Sequence, residues 1–518
     1  MTSKRLLPLL AALGLALPGM AHAQELVVGW AETNDTLNPV TTGKRNSGPI
    51  LSNIFDTLVW ISPEFEVEPL LAESWTVSED GLSYVFKLRE DVTFHDGTPF
   101  DAAAVVSNID YITGENTQSK ISLGLLGPCA HAEATGEYEV TFTCDEIYAP
   151  LLAQMGEPYL GMQSPAAIEE YGAELGQHPT GTGPFKFVSW TPGQSIVLEK
   201  NPDYHWMAAS LGHEGPAEIE KITFQIVPNP QSRVQQFQSG QSQVMQQTPG
   251  LYWKTLTATG KYTELPVEIS GLGIFAPINA SLFPTDDILV RKAIMYAVDQ
   301  KALIQLAEAG VYPPSYTPLS AGMLGHDEAA AEKYPYDPEK AKSLLKEAGW
   351  EFDGTTWTKD GKTLSIKITA ISGKAHYMAQ AQAIQGFLSE IGFDAQFEAL
   401  NSPAWLDLNI DGGSTLTPSQ YIGVDPDALH FWFLPDQYFN WSHWTNDELT
   451  DLIYQGRSEL DHDKRAAIYQ KIQDILLDNA VILPIRQNLD LTLAEKSVTG
   501  ITWSGGGFQY FGAASIAE

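Results

Sequence analysis

The N-terminal half of the chain alternates hydrophobic and polar positions in the way that predicts β-strands. Hydrophobic side chains occupy every second position at Leu26, Val28 and Trp30, and the alternation returns in residues 84–88 and 222–226. Side chains two residues apart share one face of a strand. Clusters of Gly, Asp, Thr and Pro separate these segments and predict turns. This half of the chain therefore reads mainly as short strands.

The pattern changes to helical spacing after about residue 285. Apolar residues from Val290 to Val298 follow a helical repeat, with Asp286 and Asp287 ahead of them and Gly310 behind. Further helices are predicted from Pro338 to Gly349, after a capping box at residues 445–448, and over residues 468–476. Strands return at residues 481–485 and 490–493. A helical block between two strand-rich ends predicts a mixed α/β protein in which the last strands rejoin the first domain.

The first 23 residues resemble a secretory signal. Lys4 and Arg5 precede an apolar run from Leu6 to Met20, and small residues follow up to Ala23. Pro8 and Pro18 interrupt the run, which is also too short to span a bilayer comfortably. We expect cleavage after Ala23 and export to the periplasm; an uncleaved membrane anchor is the alternative.

The charge of the chain excludes two classes of partner. Among 518 residues, 30 are Lys or Arg and 64 are Asp or Glu, for a net charge of −34. Such a surface repels nucleic acid phosphates and anionic lipid head groups. We expect neither partner, and we expect a monomer of two to four domains.

The two cysteines predict one disulfide. Cys129 and Cys144 flank a strand-like segment, and Gly136 could turn the chain back so that the sulfurs meet across a hairpin. An oxidising compartment would then close the bond. Two free buried thiols are the alternative, whereas a structural zinc site would need four ligands.

The sequence carries no recognisable catalytic motif. It contains neither His-Glu-x-x-His nor Gly-x-Ser-x-Gly, and its partial phosphate-loop and dinucleotide patterns each lack a required glycine. We therefore expect no enzyme activity and no cofactor. A secreted hydrolase with an unrecognised triad remains the alternative, because triads are defined by geometry rather than by spacing.

An aromatic-rich stretch from Tyr421 to Trp444 is the strongest candidate for a binding site. It interleaves eight aromatic rings with polar residues that include Asp425, His430 and Asn440. Small-molecule clefts combine apolar rings with a few polar groups that fix the ligand's orientation. The alternative is that most of these rings belong to a hydrophobic core.

Several motifs in family order resemble the family-5 extracellular solute-binding proteins. They include Leu-Leu-Ala-Glu-Ser-Trp at residues 70–75, Val-Thr-Phe-His-Asp-Gly-Thr-Pro-Phe-Asp at 92–101, Gly-Thr-Gly-Pro-Phe at 181–185 and Tyr-Asp-Pro-Glu-Lys-Ala at 336–341. The family comprises the dipeptide-, oligopeptide- and nickel-binding components of ABC importers. The matches extend over essentially the whole chain after residue 23.

The resemblance implies a two-lobed, three-domain flytrap of the periplasmic-binding-protein fold. Its first domain would be discontinuous, with parts at 24–60, 181–272 and 484–518; the second domain would span 61–180 and the third 273–483. The ligand would bind between the lobes, hinge closure would bury it, and the closed form would dock on membrane permease subunits without making or breaking a bond.

The resemblance also suggests which residues meet the ligand. Peptide-binding members place an Asp near a Trp, a few residues before an Asp-Pro-Asp-like segment, to pair with the ligand's ammonium. Here Tyr421 takes the aromatic position and no carboxylate stands ahead of Asp425, which puts a peptide with a free amine in doubt. Asp425 could itself anchor an amine or could cap a turn. Arg45 could pair with a ligand carboxylate or could be solvated.

The candidate site combines these residues, with Trp441 and Trp444 expected to stack on the ligand. Its members are Asn34, Arg45, Tyr421, Asp425, Asn440, Trp441 and Trp444. The expected ligand is a short peptide or a polar organic solute of similar size. The alternative is a nickel chelate or haem, bound through His430 or His443.

Overall fold

The computed structural model describes residues 24–119 and 121–517. The predicted signal segment, with its cleavage point after Ala23, lies outside the described residues. In the part that is described, no helix combines the length and the apolar character needed to cross a membrane.

Strands are distributed along the whole described chain. In the N-terminal half they are β1 (Glu25–Trp30), β2 (Val59–Ile61), β3 (Val67–Pro69), β4 (Ala72–Val77), β5 (Ser83–Leu88), β6 (His131–Gly136), β7 (Glu139–Thr143), β8 (Phe185–Thr191), β9 (Ser195–Lys200), β10 (Lys221–Ile226), β11 (Val244–Met245), β12 (Tyr262–Glu268) and β13 (Gly271–Pro277). In the C-terminal half they are β14 (Glu351–Phe352), β15 (Trp357–Lys359), β16 (Lys362–Thr363), β17 (Ser365–Ile371), β18 (Asp394–Leu400), β19 (Ser419–Ile422), β20 (Ile482–Arg486), β21 (Leu489–Glu495), β22 (Val498–Thr499), β23 (Thr502–Trp503), β24 (Gln509–Tyr510) and β25 (Ser515–Ile516).

Most of the longer α-helices lie between residues 288 and 478. The earlier helices are α1 (Gly48–Ile54), α2 (Ala102–Thr113), α3 (Ser122–Leu126), α4 (Leu151–Gln154), α5 (Pro165–Tyr171), α6 (Pro230–Gln238) and α7 (Gly250–Thr257). The later ones are α8 (Ile288–Ala297), α9 (Gln300–Glu308), α10 (Pro338–Glu347), α11 (Ala375–Glu390), α12 (Ser402–Ile410), α13 (Ala428–Phe433), α14 (Asp447–Ser458) and α15 (His462–Asp478).

A sheet built from three separate parts of the chain organises the first domain. Its order is β12-β21-β11-β1-β10-β9-β8. The first strand, β1, runs parallel to both β10 and β11, and β21 returns from the C-terminal end to pair with β11 and β12. One hydrophobic core, which includes Leu26, Ile222 and Phe511, draws on all three parts. The prediction of a discontinuous first domain is confirmed.

The second domain is a smaller antiparallel unit with its own core. Its sheet has the order β4-β5-β7-β6, and Phe86 and Phe142 pack edge to face between strands at a centroid distance of 5.6 Å. Cys129 and Cys144 form a disulfide at the two ends of the β6–β7 hairpin, as predicted. First and second domains together form one lobe.

The other lobe contains the helical block and the largest hydrophobic core. That core is drawn almost entirely from residues 272–485. The predicted α/β architecture of two lobes and three domains is therefore confirmed, while the individual boundary residues stay predictions.

Two local details in this lobe differ from the sequence pattern. Asp287 caps α8 as expected, but the helix does not extend to Gly310: Val298 is extended and the side chain of Asp299 accepts a hydrogen bond from the Ala302 N–H at 3.0 Å, so that a second helix starts. The cap of α14 is Asn446, which accepts from the Leu449 N–H at 2.8 Å, and not Thr445.

Close backbone contact explains the Gly-Thr-Gly-Pro segment. The Gly183 N–H donates to the Ile54 carbonyl at 2.9 Å, and a Cβ on Gly183 would lie 2.7 Å from the carbonyl carbon of Ile54. Gly181 is equally confined by the same carbonyl group. These glycines allow β8 to begin directly against the end of α1.

We expect Gly183→Ala to lower the free energy of unfolding by about 1–3 kcal/mol, because the added methyl group must push two backbone segments apart. Urea denaturation followed by circular dichroism measures this loss. Gly386→Ala is a suitable control: a Cβ at Gly386 in α11 would meet nothing within 4 Å, so this substitution should raise stability by up to ~1 kcal/mol. Equal midpoints for Gly183→Ala and the wild type would contradict the close-contact explanation.

Candidate functional site

Two chain crossings connect the lobes and leave a cleft beside them. At the crossings the Ile269 N–H donates to the Asn488 carbonyl at 2.7 Å. Away from the crossings, Lys374 Nζ lies 3.6 Å from a carboxylate oxygen of Glu32 in the other lobe. On the second domain, the Ala149 N–H donates to the Arg457 carbonyl at 2.8 Å. The two lobes therefore touch on more than one side of the cleft.

A cavity of about 550 Å³ opens between the lobes. The first lobe contributes Phe65, Glu268 and the Ser504–Gly505 turn to its wall, and the second lobe contributes Ala321 and Gly322. The carbonyl of the next residue in that turn, Gly506, accepts a hydrogen bond from Arg45, which belongs to a cluster of charged side chains. The cavity and this charged cluster therefore adjoin each other at the turn.

Arg45 is the cation of this cluster. It starts a 3-10 turn (Arg45–Ser47) just ahead of α1, and it is half-buried. Its guanidinium donates to the Gly506 carbonyl and lies 4.2 Å from the centroid of the Phe508 ring. Burial lowers the pKa of Arg45 from its usual value, while Tyr159 and nearby carboxylates oppose that shift. Arginine stays protonated in proteins under such shifts, so a fixed positive charge faces this part of the cleft.

Glu157 is the buried carboxylate of the same cluster. It directly precedes the 3-10 turn Pro158–Leu160 and is only 4% exposed. Its Oε1 has no hydrogen-bond partner among the described residues, and a Cβ on Gly506 would lie 3.3 Å from that oxygen. Burial raises the pKa of Glu157 to about 7, although the charge of Arg45 acts in the opposite direction. An unpaired buried carboxylate is unusual and is characteristic of functional sites.

Tyr421 is a residue of the second lobe on which this cluster acts electrostatically. It lies on β19, packs 5.4 Å from the Phe431 ring centroid and is partly exposed. Burial raises the pKa of the Tyr421 hydroxyl, and the negative charges of Asp427 and Glu157 raise it further. A carboxylate of the first lobe thus acts electrostatically on a hydroxyl of the second.

Two more polar residues border the Arg45–Glu157 cluster. Asp490, on β21, is buried, and burial raises its pKa while Thr492 and the charge of Arg45 oppose the shift. Asn34 donates from Nδ2 to Ser47 Oγ at 3.1 Å, next to the Arg45 turn, and its buried Oδ1 has no partner among the described residues. Asp490 Oδ1 accepts from Thr492 and its Oδ2 accepts from Gln246, whereas Glu157 Oε1 and Asn34 Oδ1 have no partner among the described residues.

Asp425 lies away from this cluster, in an ion pair inside the second lobe. Its two oxygens accept from Arg465 at 2.8 and 2.6 Å, and one also accepts from the Asp427 N–H. Burial alone would lower the pKa of Arg465, but Asp425 raises it above its usual range. Both carboxylate oxygens of Asp425 are occupied, so the structure corrects the idea that this residue is free to anchor an amine.

Asn440, Trp441 and Trp444 support the second lobe rather than the charged cluster. Asn440 Nδ2 donates to the carbonyls of Leu434 and Trp444 and so holds a loop together. Trp441 is 4% exposed and packs edge-on against Trp405 at 4.9 Å. Trp444 is partly buried against the same core. The expected stacking of Trp441 on a ligand is therefore not available in this conformation.

The two histidines considered for metal binding each contact the protein through one ring nitrogen. His430 Nδ1 lies 3.1 Å from Asp427 Oδ2, and His443 Nε2 lies 3.0 Å from the Asn409 carbonyl oxygen. Within residues 24–119 and 121–517, no group of three His, Cys, Asp or Glu side chains is arranged to hold a metal ion.

The roles of Asn34, Arg45 and Tyr421 in ligand binding stay predictions, and sequence reasoning overlooked Glu157 and Asp490 near Arg45. A signal for Glu157 was present, because it is the only charged residue in the stretch from Leu151 to Met162. No comparable signal marks Asp490, which alternates with leucines as any strand residue can.

Comparisons with known proteins agree with this architecture. Residues 66–441 match the family described as bacterial extracellular solute-binding proteins, family 5 middle. The glutathione-binding protein GsiB of Escherichia coli O1:K1 / APEC is 29% identical over 514 residues, which cover 95% of each chain.

Solved structures extend the similarity to the fold. NikA from Brucella suis, crystallised with Fe(III)-EDTA, is similar with a TM-score of 0.84, 27% identity and coverage of 95% of this chain and 99% of that one. DppA from Helicobacter pylori, in complex with the peptide STSA, has a TM-score of 0.77 at 25% identity and coverage of 95% and 98%.

We expect Asp425→Asn to lower the free energy of unfolding by roughly 3–5 kcal/mol, because it leaves the Arg465 guanidinium buried without its charge partner. Urea denaturation measures the loss. The double variant Asp425→Asn/Arg465→Met should recover much of it. Unchanged stability together with weakened ligand binding would instead return Asp425 to the role of ligand anchor.

The pKa of Glu157 predicts how stability depends on pH. Since the folded-state value of about 7 lies above the usual glutamate value, the stabilising contribution is complete below about pH 4.5 and is lost as the pH rises through 7. Wild-type stability should therefore fall between pH 5 and 7.5 relative to Glu157→Gln, by on the order of 3 kcal/mol. Urea titrations at several pH values measure the difference, with the exposed Glu64→Gln as control. Parallel curves for the wild type and Glu157→Gln would contradict it.

Proposed function

The chain belongs to the bacterial extracellular solute-binding proteins of family 5, and from this premise we propose that it captures a short zwitterionic peptide, or a polar organic solute of similar size, for an ABC importer. Proteins of this family work in the periplasm and bind solutes without acting as enzymes. Delivery would be to the membrane subunits of a permease.

The presence of both charge signs in one interlobe site is the observation that carries this proposal. Arg45 can donate two parallel hydrogen bonds to a ligand carboxylate, as guanidinium groups commonly do. Glu157, whose Oε1 has no partner among the described residues, is an acceptor for the positive end of a ligand. A zwitterion would satisfy both ends of the site, whereas a simple anion or cation would satisfy only one.

The cavity beside the charged cluster is large enough for such a ligand. A volume of about 550 Å³ lies within the ~300–1,000 Å³ typical of small-molecule sites. Phe65 and Tyr421 offer apolar and aromatic surface on opposite lobes, which suits the short side chains and backbone of a peptide. The volume is too small for a long extended peptide to be enclosed completely.

Two of the relatives support a peptide in particular. One is named for binding glutathione, and another was crystallised with the peptide STSA. Both molecules are short peptides that carry an amino group and at least one carboxylate. The chelate in the NikA structure makes a metal complex a useful comparison compound, although His430 and His443 each have a ring nitrogen bonded elsewhere.

Closure of the lobes would supply the mechanism. A ligand that contacts Arg45 on one lobe and Tyr421 on the other stabilises only the closed form, and it shifts the equilibrium by its difference in affinity for the two forms. The Lys374–Glu32 and Ala149–Arg457 contacts form across the same cleft, so they would assist closure. The permease can then distinguish loaded from empty protein by shape.

We expect the exported protein, unfolded and refolded to release any retained solute, to bind at least one short peptide of a defined panel. The panel contains trialanine, glutathione, an opine, a betaine, Fe(III)-EDTA and haemin. At a ligand concentration 100 times Kd, binding should add ~2.7 kcal/mol of stability, which thermal melting detects readily.

The matched variant is Arg45→Met, which keeps length and removes the charge. It should weaken binding of the peptide by about 10- to 100-fold in isothermal titration calorimetry, because one charged hydrogen-bonding partner is lost. Absence of any melting shift across the panel, with no solute detected by mass spectrometry of the protein as isolated, would refute solute capture.

A further inference from the structure

We propose that Glu157 selects ligands that carry a free amino group, by forming a hydrogen-bonded ion pair with the ligand's ammonium group. This inference rests on the proposed function and assigns one end of the ligand to the first lobe. It also explains how a ligand ammonium could be paired although no carboxylate stands ahead of Asp425. The negative charge would come from Glu157, on the opposite side of the cleft.

The first argument is the lack of any partner inside the protein. Glu157 is 4% exposed, yet its Oε1 accepts no hydrogen bond from the described residues. Charged groups buried to this degree are otherwise paired or bound to a ligand. Glu157 Oε1 is therefore available to accept a hydrogen bond from a ligand donor.

The second argument is that the cation near Glu157, Arg45, is bonded to other groups. Arg45 acts electrostatically on Glu157, but its guanidinium donates to the Gly506 carbonyl and packs on the Phe508 ring. No ion pair joins the two side chains within the described part of the chain. The protein thus buries a cation and an anion in one site without letting them neutralise each other directly.

The third argument concerns the groups that approach Glu157 from each side. Tyr159 follows in the same 3-10 turn, Gly506 lies on the turn between β23 and β24, and Tyr421 comes from the second lobe. Burial raises the pKa of both tyrosine hydroxyls, and the negative charge of Glu157 raises it further. None of these groups is a cation, and Arg45 is bonded to Gly506 instead, so no cation of the described residues is bonded to the free oxygen.

Asp425 is excluded from this role by the same reasoning. Its oxygens already accept from Arg465 and from the Asp427 N–H. Moving it to a ligand would leave the Arg465 guanidinium buried without its charge partner. Glu157 Oε1 has no internal partner to lose among the described residues.

The expected selectivity follows from the cost of leaving a buried carboxylate unpaired. A hydrogen bond to a charged group contributes about 1.5–3 kcal/mol, which corresponds to roughly 10- to 100-fold in Kd. A ligand with an acetylated amine cannot supply that bond and also obstructs the oxygen. The site should therefore distinguish a free amine from an amide by at least that factor.

The test compares free and N-acetylated peptides on the full-length exported protein. Trialanine and glutathione, each with its N-acetyl derivative, are titrated into the wild type, Glu157→Gln and Glu199→Gln by calorimetry. Glu199→Gln is the control, because Glu199 is exposed on β9 and belongs neither to the cavity wall nor to the Arg45–Glu157 cluster. Urea denaturation verifies that each variant is folded.

We expect the wild type and Glu199→Gln to bind at least one free peptide about 10- to 100-fold more tightly than its acetylated form. In Glu157→Gln the two forms should bind alike, through loss of affinity for the free amine. A second variant, Glu157→Asp, keeps the charge and should retain part of the preference.

Retained discrimination in Glu157→Gln, or loss of discrimination in Glu199→Gln instead, would overturn the assignment while leaving solute capture intact. Binding by the wild type of only those panel ligands that lack an amino group would also overturn the assignment of Glu157 and would leave solute capture intact. Failure of the wild type to bind any compound counts against the proposed function itself and removes the inference with it.

Discussion

The burial of charge between the lobes is the constraint on which the rest of the structure depends. Glu157 is buried and Arg45 is half-buried beside it, and the Arg45 guanidinium contacts Gly506 and Phe508 rather than Glu157. Desolvated charges are tolerated only where compensation is available. Under the proposed binding mode, a ligand would supply the compensation that Glu157 lacks within the described residues.

The charges elsewhere on the cleft are treated in the opposite way. Asp425 and Arg465 satisfy each other inside the second lobe, and Asp427 is met by Arg457, whose guanidinium also lies 5.6 Å from the Tyr148 ring of the first lobe. These pairs stiffen the surface that meets the second domain. One side of the cleft is thus held by ion pairs, while on the Arg45–Glu157 side one carboxylate oxygen has no partner among the described residues.

Local sequence was sufficient for many individual elements. The alternation at residues 84–88 and 222–226 became strands, and Asp337 caps a helix that begins at Pro338, because these features depend on neighbouring residues only. The break at Asp299 and the cap at Asn446 were missed, since two adjacent polar residues can each start a helix and tertiary packing selects one. The glycines at 181 and 183 likewise have a reason only once Ile54 lies against them.

By itself the sequence determined the family, the α/β class and the disulfide, whereas the roles of Arg45 and Tyr421 in the site stay predictions. It could not determine the state of Asp425, because the arginine that occupies it lies 40 residues further along the chain. Nor could it identify Glu157, whose importance comes from being buried beside Gly506 with one oxygen left without a partner among the described residues. Sequence periodicity records which face of an element is apolar, but the pairing of charges depends on distances between segments that are remote in the chain, and only the tertiary structure decides those distances.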